Sequence, residues 1–158
     1  MQLLSDIKAD RLPEADRPRY RAWLREVYGP RARAVGWTPK PGEGDDVKQL
    51  RSMLLGMAAI GGEDPALVQE GSRLARAWLA DRKAVHPEVA WPALRVAARH
   101  GDKALFDTVL AQARAAKDRN ERTRLLSTLG SFRDPALVKE SLAQVSGSEF
   151  DVRETRTL

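Results

Sequence analysis

The sequence predicts an all-α protein, a right-handed α-solenoid of antiparallel helix pairs, and three observations carry that prediction. Apolar residues recur at helical spacing along nearly the whole chain, no segment alternates as a half-buried strand would, and one type of helix start returns at regular intervals. Length and composition, 158 residues with 42% apolar and 6% aromatic, bound this to a single helical-repeat domain spanning 1–158.

Taken in order, the spacing predicts helices near 2–10, 17–28, 31–35, 45–60, 65–82, 88–100, 103–116, 119–129 and 135–145. The first carries Leu3, Leu4 and Ile7, and the second a stripe of Tyr20, Trp23, Leu24, Val27 and Tyr28. Val47, Leu50, Leu54 and Met57 mark the 45–60 helix, and Leu67, Leu74, Ala75, Trp78 and Leu79 the next. Further on the same period runs through Trp91, Leu94, Ala97 and Ala98, then Phe106, Val109 and Leu110. Leu125, Leu126 and Leu129 continue it, and Val138, Leu142 and Val145 close it. Trp23, Trp78 and Trp91 lie on these stripes and read as core, with Met53 and Met57 as filler between helices.

Helix starts share one chemistry. Asp64-Pro65, Asp102, Asp118 and Asp134-Pro135 each place a carboxylate over the free amides of a first turn, and Pro at the first helical position gives up no hydrogen bond. Asp118 with Glu121 fits a capping box, and Gly36, Gly61, Gly101 and Gly130 stand where a helix end favours a left-handed residue. Most helices are joined by short loops, so neighbours run antiparallel. The string Asp64 to Val68 recurs identically as Asp134 to Val138, with a weaker echo at Asp102. The intervals of 38 and 32 residues match the pitch of HEAT, armadillo or tetratricopeptide helix pairs.

Composition also excludes chemistry. With no Cys and only His86 and His100, the chain has no thiolate site and too few imidazoles for a catalytic metal or a triad. His86 reads as part of a Val-His-Pro turn and His100 as a helix-end residue; Asp45-Asp46 and Glu63-Asp64 precede helices and read as caps. No catalytic and no metal-binding residue is assigned in this chain. A net charge of +5 invites a nucleic-acid reading, yet the Arg residues alternate with acids, and only Arg17 to Arg33 is densely basic. Nucleic acid is therefore disfavoured. No run reaches transmembrane length and Met1 to Asp10 lacks the order of a secretion signal, so no membrane is expected and the cytoplasm is favoured.

Two stretches fall outside the helical period: a Pro/Gly loop at 37–44 and a polar tail at 146–158. The loop is the most distinctive string in the chain. Gly36, Trp37, Pro39, Lys40, Pro41, Gly42, Glu43 and Gly44, preceded by Val35, resemble the Leu-Gly-Trp-x-Pro-x-Pro-Gly-Glu signature of one domain family. That family is the C-terminal helical domain of zinc aminopeptidases related to aminopeptidase N, with the puromycin-sensitive and antigen-trimming enzymes. Leu50 to Leu55 is similar to its Leu-Arg-x-x-Leu-Leu helix, Ala97 to Asp102 to its Ala-x-x-x-Gly-Asp end, and Asp118 to Gly130 to a helix ending in Leu-Gly. Val152-Arg153 resembles the start of its Val-Arg-x-Gln-Asp element. Departures occur at Ala90 and Leu94, where many relatives carry Arg and Tyr, and after Val152-Arg153, where Glu154-Thr155 then Arg156 stand and the Gln-Asp is missing.

The resemblance implies a non-catalytic domain, a piece of a larger C-terminal domain, whose parent is a zinc metallo-aminopeptidase, a hydrolase releasing N-terminal residues. It implies that the domain covers the active-site cavity and helps select peptide substrates, so its partners are the peptidase catalytic domain and peptides. Zinc belongs to the parent's catalytic domain, since the His-Glu-x-x-His helix is absent from this sequence. The signature loop reads as structural, with Trp37 plugging a groove between helices, and no substrate-binding residue is assigned. The competing reading is a free-standing helical-repeat module that binds protein or nucleic acid.

Overall fold

The computed structural model describes residues 12–147 and 149–155. Within them lie α1 (Arg17–Val35), α2 (Asp45–Leu55), a π-helical segment (Gly56–Gly61), α3 (Pro65–Ala80) and α4 (Pro87–Arg99). These are followed by α5 (Lys103–Ala115), α6 (Arg119–Leu129), α7 (Pro135–Ser146) and α8 (Val152–Thr155). No strand occurs among the described residues, as the period predicts. The helix expected at 2–10 lies outside them. Packing divides the chain into two units, Met1–Glu70 and Gly71–Leu158, with the division falling inside α3.

The helix starts form as the aspartates dictate. Asp64, Asp102, Asp118 and Asp134 accept from the amides of Leu67 (3.2 Å), Leu105 (2.9 Å), Glu121 (2.8 Å) and Ala136 (2.8 Å). His86, expected to be a turn residue, caps α4 as well: its Nδ1 accepts from the Glu88 amide at 3.4 Å, and Pro87 follows at the first helical position.

Helix ends depart from expectation. Of the four glycines expected to be left-handed, Gly36 has φ 68°, but Gly61, Gly101 and Gly130 do not reach positive φ. Gly101 is instead required by space, because a Cβ there would lie 2.7 Å from Phe132 Cε1 and 2.8 Å from Leu105 Cδ2. Four arginines take over the orphan carbonyls beyond these ends: Arg51 on Gly36 (3.2 Å), Arg25 on Gly62 (2.6 Å), Arg82 on Trp78 (3.0 Å) and Arg122 on Ala116 (2.7 Å). The Ser141 hydroxyl does the same for the Leu129 carbonyl at 2.9 Å.

Three further expectations change. The helices expected at 17–28 and 31–35 are one helix, running through Gly29 and Pro30. Pro30 removes one backbone hydrogen bond, but the turn is held on its other side. There Gly29 packs without a side chain against Asp64 and Arg33, which are themselves paired. The 45–60 helix widens into the π segment, where the Gly62 amide reaches back to Met57 (2.8 Å) and the Asp64 amide to Ala58 (2.9 Å). Met53, expected between helices, is exposed.

Unit 1 buries Leu24 and Ala32 of α1 with Leu54, Leu55, Ala58 and Ala59. Unit 2 centres on α4, whose Ala90, Ala93, Ala97 and Ala98 let neighbours approach closely, and on Phe106, Val109, Leu125, Leu126 and Leu129. Phe106 meets Phe132 edge-on with centroids 5.2 Å apart. The expected polar tail is ordered over its described part: Phe150 is buried, and α8 is anchored by Glu154, 4% exposed, which accepts from Arg122 Nε and Nη2 at 3.0 Å each. A buried carboxylate explains why this polar sequence folds back, since an arginine fork satisfies it where water does not reach.

Replacing Asp102, Asp118 or Asp134 by Ala is expected to lower stability by about 1 kcal/mol each. Asp64→Ala is expected to cost about 2 kcal/mol, because the buried Asp64 carboxylate also holds Arg33. Denaturant midpoints of the four variants check the order, and an Asp64 variant no weaker than the others would contradict it.

Candidate functional site

The Pro/Gly loop is built around two side chains. Trp37 is 4% exposed and its indole Nε1 donates to the Leu67 carbonyl at 3.2 Å, so the ring is fixed by burial and by its one polar atom together. Arg51, 4% exposed on α2, spans the loop: Nε donates to the Gly36 carbonyl, and Nη2 donates to Glu43 Oε1 and Oε2 at 2.7 and 2.5 Å. Between those two anchors the Glu43 amide closes a turn onto Lys40, and Gly42 has φ 82°, a conformation that favours glycine. Pro39 is half-buried, while Lys40, Pro41, Gly42 and Gly44 are exposed. The hydrogen bond from Arg51 holds the Glu43 carboxyl below the usual 4.5.

Half of the basic stretch of α1 is paired within its own unit. Arg21 pairs with Glu63 at 3.3 Å, Arg25 holds the Gly62 carbonyl, and Arg33 pairs with Asp64. Three cations spaced along one helix therefore clamp the three residues that follow the π segment, where Glu63 takes φ 53°. This use of the charge removes half of the phosphate-tracking patch considered from sequence.

A second feature lies in unit 2, where the C-terminal end of α3 meets the first turns of α4 and α6 around an open cleft of about 440 Å³. Trp78 and Trp91 form its aromatic part, with centroids 4.6 Å apart and rings inclined at 65°. The Arg82 guanidinium stacks 3.8 Å from the Trp78 centroid and is fully engaged otherwise, with Glu121 (2.9 Å), Gln112 (2.8 Å) and the Trp78 and Leu79 carbonyls. Arg124 lies 5.2 Å from the Trp91 centroid and is exposed. Glu88, Asp118 and Asn120 complete the rim. Sequence reading assigned both tryptophans to the core; Trp78 is buried, but Trp91 is only half-buried. The missed signal was the acids and arginines one turn away from them.

The family model of the ERAP1-like C-terminal domain matches residues 2–158. The chain belongs to the ERAP1-like C-terminal domain family. Curated relatives agree: Aminopeptidase M1 of Arabidopsis thaliana is 33% identical over 120 residues, 73% of this chain and 14% of the relative. Aminopeptidase M1-B of Oryza sativa subsp. japonica is 28% identical over 144 residues, 88% of this chain and 16% of the relative. Aminopeptidase 2 of Candida albicans is 25% identical over 126 residues, 79% and 14% respectively. The chain thus spans about one-seventh of the length of these relatives. For a member of this family the residue chemistry is decisive on one point. Among the described residues no group of three or more His, Cys, Asp or Glu could hold a metal ion, so a catalytic zinc does not fit these residues. No described helix is long and apolar enough to cross a membrane.

The ion pair between Glu43 and Arg51 gives the ERAP1-like domain a testable pH dependence. A lowered carboxylate contributes stability above its ordinary value of 4.5 and loses it as pH falls through the lower folded value. Glu43→Gln is therefore expected to be less stable than the wild type at neutral pH, with the gap closing below 4.5. Urea midpoints across that range check it; a gap independent of pH would contradict it.

Proposed function

We propose that this chain is part of the non-catalytic C-terminal domain of a zinc-dependent aminopeptidase, where it covers the active-site cavity and helps select peptide substrates. The supporting observation is the family match across 2–158 together with relatives that are aminopeptidases by name. In this reading the helix pairs continue a right-handed α-solenoid, 1–158 acts as one piece of a larger array, and the zinc sits in the parent's catalytic domain. The loop from Gly36 to Gly44 is a brace rather than a contact surface, since its anchors Trp37, Glu43 and Arg51 point into their own unit. Peptides and the catalytic domain are the partners, and the cytoplasm is the favoured compartment. The inward pairing of Arg21, Arg25 and Arg33 speaks against a nucleic-acid module.

A domain that selects without cutting affects long substrates more than short ones. In the whole protein carrying this chain, Arg51→Met is expected to leave kcat/KM for a single-residue fluorogenic amide within about twofold and to change it for a long peptide by about fivefold or more. Equal changes for both substrates, or none for either, would overturn the proposal.

A further inference from the structure

We propose that the Trp78–Trp91 cleft is a binding site for a basic side chain, arginine above all, carried by a peptide segment. That the carrier is a peptide rests on the function proposed above; the preference for a cation rests on the cleft alone. Its volume of about 440 Å³ falls within the range of ligand pockets, and its aromatic wall with a charged rim gives orientation as well as area.

Charge decides between a cationic and an anionic occupant. Arg82 has its guanidinium committed to Glu121, Gln112 and two carbonyls, so it is a wall of the cleft and not a docking cation. Arg124 remains, and among the described residues it has no acid partner in an ion pair. Against it stand Glu88, whose carboxylate lies 3.9 Å from His86 Nδ1, a ring nitrogen that itself accepts from the Glu88 amide, and Asp118, which caps α6 through Oδ1 and also faces Arg122. An anion entering the cleft would meet the Glu88 and Asp118 carboxylates, while Glu121 is already matched by Arg82; a cation meets the first two as partners.

The position such a cation would take is already marked. Arg124 rests over the half-buried Trp91 ring, where guanidinium and indole attract each other, and as an exposed residue it is free to withdraw. An incoming arginine would replace Arg124 over the ring and reach Glu88, with the exposed Asn120 amide at the rim available to a main-chain group. Arg124 is then an internal placeholder that competes with the ligand by occupancy and by charge.

That competition yields a sign test. The probes are three peptides of one sequence, blocked at both ends so that no terminal charge contributes, carrying arginine, citrulline or glutamate at the centre. Binding is read from the indole N–H resonances of the ¹⁵N-labelled chain, with Trp91→Phe assigning the Trp91 signal. The arginine peptide is expected to shift that signal saturably, and more weakly as salt is added, while citrulline and glutamate peptides do not. Arg124→Gln is expected to tighten arginine binding about 3- to 10-fold and Glu88→Gln to weaken it by a similar factor. Equal shifts with citrulline, tighter binding of the glutamate peptide, or weakening by Arg124→Gln would each overturn the proposal. None of these readouts involves a peptidase, so failure of the cleft is distinguishable from failure of the substrate-length comparison.

Discussion

The constraint on which most of this structure depends is the supply of donors for carbonyl groups at helix ends. An α-helix leaves its last four carbonyls without partners, and a chain of short helices multiplies that deficit. Glycine takes the left-handed region here at Gly36, and arginine side chains supply donors to carbonyls at helix ends, from another segment for Arg25, Arg51 and Arg122 and from just beyond the same helix for Arg82. Arg25, Arg51, Arg82 and Arg122 each reach a carbonyl with one nitrogen and in three cases a carboxylate or amide with another, so each fork ties a helix end to a neighbour. At these positions Arg serves where Lys would not, because a planar fork bridges two acceptors, while an ammonium offers no such geometry.

The same economy locates the cleft. Where α3 ends and α4 and α6 begin, terminal carbonyls and terminal amides lie together, and each is answered by a local side chain: Arg82 for the carbonyls, His86 and Asp118 for the amides. Once those groups are satisfied, Arg124 and Glu88 are left over on an aromatic surface. Binding capacity arises from what helix termination did not consume.

The legible part of the fold was the part written in local chemistry. Aspartate caps announce themselves because carboxylate, spacing and the following proline act within one turn, and α3, α5, α6 and α7 begin where their aspartates put them. The ends were less legible, because Arg25 and Gly62 or Arg122 and Ala116 are brought together only by folding. The continuity of α1 through Pro30 was hidden for the same reason: its support comes from Asp64, thirty-odd residues away. Glu154 in a polar stretch gave no sign of burial until its arginines were placed. The loop was legible as a family mark; that Arg51 braces it was not.

A family mark and a binding site place different demands on sequence. Gly42 must take a positive φ, Trp37 must fill a buried position and Glu43 must meet Arg51, so these residues are fixed by the fold whatever the domain binds. They identify the domain without describing its ligand. On α4 the case is reversed. Ala90 and Leu94, standing where the family resemblance led us to expect Arg and Tyr, are 0% and 1% exposed, so this face of the helix is core and offers no polar group to a substrate. Trp91 lies between them in sequence but points to the cleft, beside acids that belong to α4 and α6. The two sides of one helix thus serve different ends, one filling the core with small and aliphatic side chains and the other presenting an aromatic ring to charged neighbours.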